Sequence, residues 1–124
     1  VLTNRFFTSK NFSIEGKIRI SKFSYNSYRV GLIWGNKNLI YRFEIDNNKY
    51  KIPGIKSWKA SKVIRPNQYN TLKVIVRNGM TKFFINGSRV YTTSAIKTPP
   101  GSVIGFFAGE VKAEIDRFKI SFYK

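Results

Sequence analysis

Few side chains in this sequence could do chemistry, and they are unevenly placed. Glu15, Glu44, Asp46, Glu110, Glu114 and Asp116 are its only carboxylates, against 23 Lys and Arg, and it has neither histidine nor cysteine. That excludes a His-based triad, a His general base, an imidazole zinc site, disulfides and thiolate metal sites. Glu44 and Asp46 alternate with Arg42, which puts all three on one face of a strand beside the glycine-bearing run Gly31–Gly35. Arg42 and Glu44 on that face could hydrogen-bond a sugar or a peptide; the competing reading is a cross-strand ion pair on a solvated surface, worth little. Tyr25, Tyr28, Tyr50 and Trp58 fall outside the regular inward-facing sets and could stack on the C–H faces of sugar rings. Trp58, between Lys56 and Lys59, is the sharpest of these, and its basic flank suits an acidic sugar. Against it stands a Trp58 that caps the core, since Trp is largely buried on average. Trp34, at period two with Val30 and Leu32, is assigned to the core. Asp46, Asn47 and Asn48 form the one dense oxygen cluster, too little beside so much positive charge for a hard cation that wants six or more oxygens, and no metal or other cofactor is expected.

The formal net charge is +17, and from Asn47 to Gly109 there is no carboxylate among eleven Lys or Arg. Such a field attracts polyanions: nucleic acid, anionic polysaccharide or anionic lipid. It is also what a Lys-, Asn- and Ile-biased composition produces while merely solvating a surface. Lys49, Lys51, Lys56, Lys59, Lys62 and Arg65 crowd into one stretch, but no RNA-recognition motif accompanies them, so nucleic acid ranks below glycan.

These residues must be positioned by strands. Two Asn-Gly pairs, Asn78-Gly79 and Asn86-Gly87, each sit between β-rich runs, and Asn-Gly suits the two positive-φ positions of a type I′ turn. They predict an antiparallel meander at 70–77, 80–85 and 88–93. Phe12–Ser21 alternates as a half-buried strand, and Val1–Asn11 before it reads as an edge strand or arm. Lys22–Tyr28 reads as a loop. Arg29–Gly35 is apolar on both faces, and its glycines would let a neighbour or a ligand come close. Leu39–Asp46 alternates with Leu39, Tyr41, Phe43 and Ile45 inward. Asn47-Asn48 turns it into Lys49–Ile55, which Pro53-Gly54 ends. Ser57–Ile64 is short or irregular, and Thr98–Gly101 is a rigid turn before Ser102–Ala108. In Val111–Tyr123 the inward set is Ala113, Ile115, Phe118, Ile120 and Phe122, and its parity shift predicts a β-bulge at Asp116-Arg117. About ten short strands without a helical period make an all-β sandwich of two antiparallel sheets in a single domain. No apolar run approaches the ~18 residues of a membrane span. The chain opens at Val1 without a visible signal peptide and reads as a module excised from a longer protein.

GLIWG, LIYRFEIDNNKYKI, QYNTLKVIVRNGMTKFFINGSRVY, PPGSVIGFFAG and AEIDRFKI follow one another in a recognisable order. The chain resembles the concanavalin A-like lectin/glucanase superfamily over roughly 12–123, and within it the laminin-G-like and DUF1080-type jelly-roll modules. The resemblance implies a jelly-roll β-sandwich. It leaves open lectin, carbohydrate-binding module, glycoside hydrolase and protein-binding module. Family 16 glycoside hydrolases of this superfamily carry alternate carboxylates on one strand, which Glu114-Ile115-Asp116 partly matches. The third acid is replaced by Arg117-Phe118-Lys119. The favoured reading there is structural, with Glu114 paired to a cation and Asp116 serving a bulge.

Together these readings give a non-catalytic carbohydrate-binding module, lectin-like, with acidic glycans favoured by the charge. The expected site is a shallow groove on the concave sheet, with Arg42 and Glu44 supplying hydrogen bonds and Trp58 and Tyr28 stacking. The alternative is a structural or protein-interaction module of a multidomain protein, with glycoside hydrolase and nucleic-acid binder behind both. An extracytoplasmic setting is favoured, and the oligomeric state is open.

Overall fold

A computed structural model describes residues 10–23, 29–99, 101–109 and 111–123, with the backbone alone at 20–23, 111 and 112. All but the last two residues of the expected arm Val1–Asn11, and the candidates Tyr25 and Tyr28, lie outside the described residues. Ten strands run in chain order: β1 (Phe12–Phe23), β2 (Arg29–Asn36), β3 (Leu39–Ile45), β4 (Lys49–Lys51), β5 (Lys59–Ala60), β6 (Asn70–Arg77), β7 (Met80–Ile85), β8 (Ser88–Thr93), β9 (Val103–Gly109) and β10 (Val111–Phe122). They form two antiparallel sheets of five, β10-β1-β6-β7-β8 and β5-β4-β3-β2-β9.

Period-two patterning supplies the core. Phe12, Ile14, Ile18, Leu72, Val74, Phe83 and Ile85 point in from the first sheet, and Val30, Leu32, Trp34, Phe43, Ile45 and Ile104 from the second. Phe43 and Phe83 meet edge to face across the layers, their ring centroids 5.1 Å apart. The meander has the expected bounds, and Asn78, Gly79, Asn86 and Gly87 all take the positive φ that both turns require. The bulge in β10 also stands where parity put it, since Arg117 pairs Lys17 and Ile115 pairs Ile18, leaving Asp116 as the extra residue.

Some local readings are corrected. β1 runs on to Phe23, two residues into the expected loop. The turn expected at Asn47-Asn48, on the ground that Asn tolerates the left-handed region, forms without it; the Asp46 carboxylate makes that turn, accepting from the N–H groups of Asn48 (2.7 Å) and Lys49 (2.6 Å). Leu39, expected inward, is exposed at the hairpin end of β3, and Ile115 and Phe122 are exposed on the edge strand β10. Tyr50, offered as a stacking platform, is buried in the core with its hydroxyl donating to the Val90 carbonyl at 3.3 Å. Burial first, then the neighbouring Tyr91, pushes the Tyr50 phenol above its usual pKa.

An asparagine network ties the 61–69 loop to the meander. Buried Asn70 donates to the carbonyls of Arg65 (2.9 Å) and Gln68 (3.1 Å), and its Oδ1 accepts from the Arg65 N–H (2.8 Å) and Asn86 Nδ2 (2.9 Å). Asn86 Nδ2 also donates to the Val63 carbonyl at 2.8 Å. Asn70→Ala strands these partners, and urea unfolding should show a loss of about 2 kcal/mol; a change below the scatter of surface substitutions would mean that the loop holds itself.

Candidate functional site

The outer face of the β5-β4-β3-β2-β9 sheet is set by register. Val30, Leu32 and Trp34 point into the core, so Arg29, Gly31 and Ile33 point out. Their partners Glu44 and Arg42 on β3, and Phe107 and Gly105 on β9, share that side. A groove of about 600 Å³ crosses this face, lined among others by Arg29, Arg42, Glu44, Lys51 and Lys56, with Pro53-Gly54 and Ile55 forming one wall.

Phe107 organises the polar part of this face. The Arg42 guanidinium lies 4.3 Å from its ring centroid and that of Arg29 5.1 Å, so two cations share one ring. Glu44 is only 5% exposed. Its Oε1 has no hydrogen bond and faces Arg29 Nε at 3.6 Å, a contact that tethers Arg29 to β3. The competing reading, a cross-strand ion pair on a solvated face, is met in its pairing and corrected in its setting, because the partner is Arg29 of β2 and Glu44 is buried. Arg29 takes the carboxylate, Arg42 takes the aromatic ring, and Glu44 is buried. The glycine floor is also explained. A Cβ on Gly31 would lie 2.0 Å from the Phe43 carbonyl oxygen, and one on Gly35 2.1 Å from that of Leu39. These glycines admit the neighbouring strand rather than a ligand.

Trp58 is half-buried, immediately before β5, and is absent from the residues lining the groove. Continuing the Tyr50–Lys59 register by one residue sets it opposite Lys51, which does line it. The basic stretch splits rather than forming one stripe. Lys51 and Lys56 reach the groove, while Lys59 stacks on Tyr91 at 5.3 Å, on the core side of the same sheet. Asp46 is committed to its turn. Glu114 and Asp116 sit on the other sheet, each ion-paired, Glu114 with Arg19 and Asp116 with Lys17 at 3.7 Å.

Sequence reasoning missed Arg29 and Phe107. Parity held the signal for Phe107, because an inward Ile104 and Phe106 require an outward Phe107; nothing local paired it with residues far upstream.

No protein-family model and no curated protein matches the chain. Solved structures do. The alginate lyase AlgAT5 of polysaccharide lyase family 7 superposes with a TM-score of 0.69 at 14% identity, over 94% of this chain and 61% of the lyase. The chain thus spans about three fifths of that enzyme. Sheep galectin-11, solved with glycerol, gives 0.63 at 14% identity over 98% of this chain and 96% of the galectin. The carbohydrate-binding module CBM66 from Bacillus subtilis gives 0.67 at 15% identity over 96% of this chain and 78% of the module. Identities this low carry the fold alone. The fold is the concanavalin A-like jelly-roll β-sandwich.

Proposed function

We propose that the chain is a non-catalytic carbohydrate-binding module that takes an acidic glycan in the groove on the outer face of β2, β3 and β4. The observation that carries this reading is the pair of guanidiniums on Phe107. Arg29 and Arg42 are pre-positioned by the ring and by buried Glu44, and Lys51 and Lys56 stand on the same groove. Four cations around one shielded carboxylate favour a carboxylate- or sulfate-bearing sugar, which planar guanidinium forks bind bidentately. Trp58 is assigned a stacking role at the groove's margin, and Tyr28, outside the described residues, is kept as a second stacking candidate. One further observation supports a non-catalytic module. Hydrolysis by the usual route needs two carboxylates flanking one bond, and among the described residues the groove is lined by one, Glu44. The neighbouring folds, a galectin and a carbohydrate-binding module as well as lyases, support a carbohydrate ligand and do not bear on catalysis.

A glycan array at physiological salt should show acidic glycans bound above neutral ones. The affinity should fall steeply as salt rises, because bound cations release counterions from a polyanion. Arg42→Ala should weaken binding about tenfold, from one lost guanidinium contact. Absence of any glycan signal, or binding insensitive to salt, would remove this reading.

A further inference from the structure

The opposite side of the sandwich carries its own concentration of positive charge. On the outer face of β10-β1-β6-β7-β8 every described carboxylate is already paired: Glu15 with Lys73 at 3.7 Å, Glu114 with Arg19, and Asp116 with Lys17 at 3.7 Å. Arg77, Lys82, Arg89, Arg117 and Lys119 remain on that face in excess, all but Lys82 exposed. The register lines some of them up. Lys119, Glu15, Lys73, Phe84 and Arg89 form one row across all five strands. Lys119, Lys73 and Arg89 therefore stand on alternate strands, roughly 10 Å apart at ordinary strand spacing. In the middle of the row lies a depression of about 310 Å³, lined by Glu15, Thr71, Lys73, Ile75, Phe84 and Gly87.

We propose that this face is a second site for an acidic polysaccharide, so that one chain holds two polymer strands on opposite sides of the sandwich. Lys119 and Arg89 end this row, the Glu15–Lys73 pair lies between them, and Arg77, Lys82 and Arg117 stand beside it, so cations in excess recur across the sheet and match a linear polymer whose anionic groups recur along an extended backbone. Nucleic acid fits less well. Single strands are held by stacking bases on open aromatic faces, and here the Tyr69 ring is covered by Arg19 (5.0 Å) and Lys17 (5.7 Å) while Phe84 is half-buried. Duplex readout needs an element that enters a groove, which the strands of a sheet face do not supply. The site shares no residue with the groove described above, and it stands or falls independently.

The test is calorimetric titration of the chain at low ionic strength with two short probes, hexagalacturonate for carboxylates and a heparin-derived hexasaccharide for sulfates. Two equivalents of the preferred probe should bind per chain. The triple substitution Lys82→Glu, Arg89→Glu, Lys119→Glu leaves all three ion pairs in place and should reduce this to one. The corresponding glutamine triple should weaken the second equivalent, and urea midpoints check that both variants fold. The pair Arg42→Glu, Lys51→Glu should remove the other equivalent. A single native equivalent that survives the triple and vanishes in the pair overturns the second site and leaves the groove. One that vanishes in the triple and survives the pair supports this face and overturns the groove. No binding of either probe overturns both. An oligothymidylate bound more tightly than both sugars, and lost in the triple, overturns the polysaccharide assignment in favour of nucleic acid.

Discussion

Gly31→Ala should cost more than about 3 kcal/mol, the upper end of what overpacking usually exacts and a large part of a stability of ~5–15 kcal/mol. The added Cβ would stand 2.0 Å from the Phe43 carbonyl oxygen, 2.8 Å from its carbonyl carbon and 2.9 Å from the Glu44 Cα. All three obstacles are backbone, so no rotamer change relieves them; β3 itself must move away from β2. That strand carries Phe43 into the core and presents Arg42 and Glu44 on the opposite face. Gly16→Ala provides the control. Gly16 is also a buried strand glycine, but its Cβ would meet the Leu32 Cδ2 methyl at 2.8 Å, the far end of a side chain that can turn. Its cost should be nearer 1 kcal/mol. Urea unfolding of both variants measures the difference, with equal slopes showing that only stability has changed. If the two midpoints coincide, the close approach of β3 does not hold Gly31 in place.

The contrast between these glycines shows where sequence reading reaches its limit. Period two, Asn-Gly turns and a parity shift are local signals, each readable within a few residues. The β6–β8 meander, the β2–β3 pair and the bulge at Asp116 were legible for that reason. That Gly31 needed to be small was legible too; what pressed on it was not. The site depends on pairing between segments remote in sequence. Phe107 meets Arg29 and Arg42 because β9 pairs the far side of β2 from β3, and no window that covers GFFAG also covers RVG. Burial at an edge is equally hidden. Leu39 and Ile115 keep the alternation of inward residues, yet one ends a hairpin and the other lies on the outermost strand, and both are exposed. Glu44 shows the reverse, an outward carboxylate that burial beside Arg29 removes from solvent.

Trp34→Ala should cost about 3–5 kcal/mol, the range for deleting a large aromatic from a packed core. Trp34 is fully buried, with ring centroids 5.7 Å from Tyr41 and 6.4 Å from Phe83, so its loss opens a cavity between the sheets. It also releases a tether. Its Nε1 donates to Thr98 Oγ1 at 3.3 Å, while the Tyr41 hydroxyl donates to the Lys97 carbonyl at 2.9 Å, and together they pin the β8–β9 connection. Trp34→Phe separates these effects. It retains most of the volume and loses the hydrogen bond, so about 1–2 kcal/mol is expected. The pair of variants also distinguishes a core tryptophan from a sugar platform. Trp34 lies on the inner face of β2, behind the strand that carries Arg29, so Trp34→Phe should bind acidic glycan within twofold of the native chain while its urea midpoint falls. A variant of unchanged midpoint and lost affinity would instead place Trp34 in the site and overturn the assignment of the two faces of β2. Binding must therefore be measured well below the unfolding midpoint of each variant. There, a core substitution changes the fraction folded by too little to alter the apparent affinity.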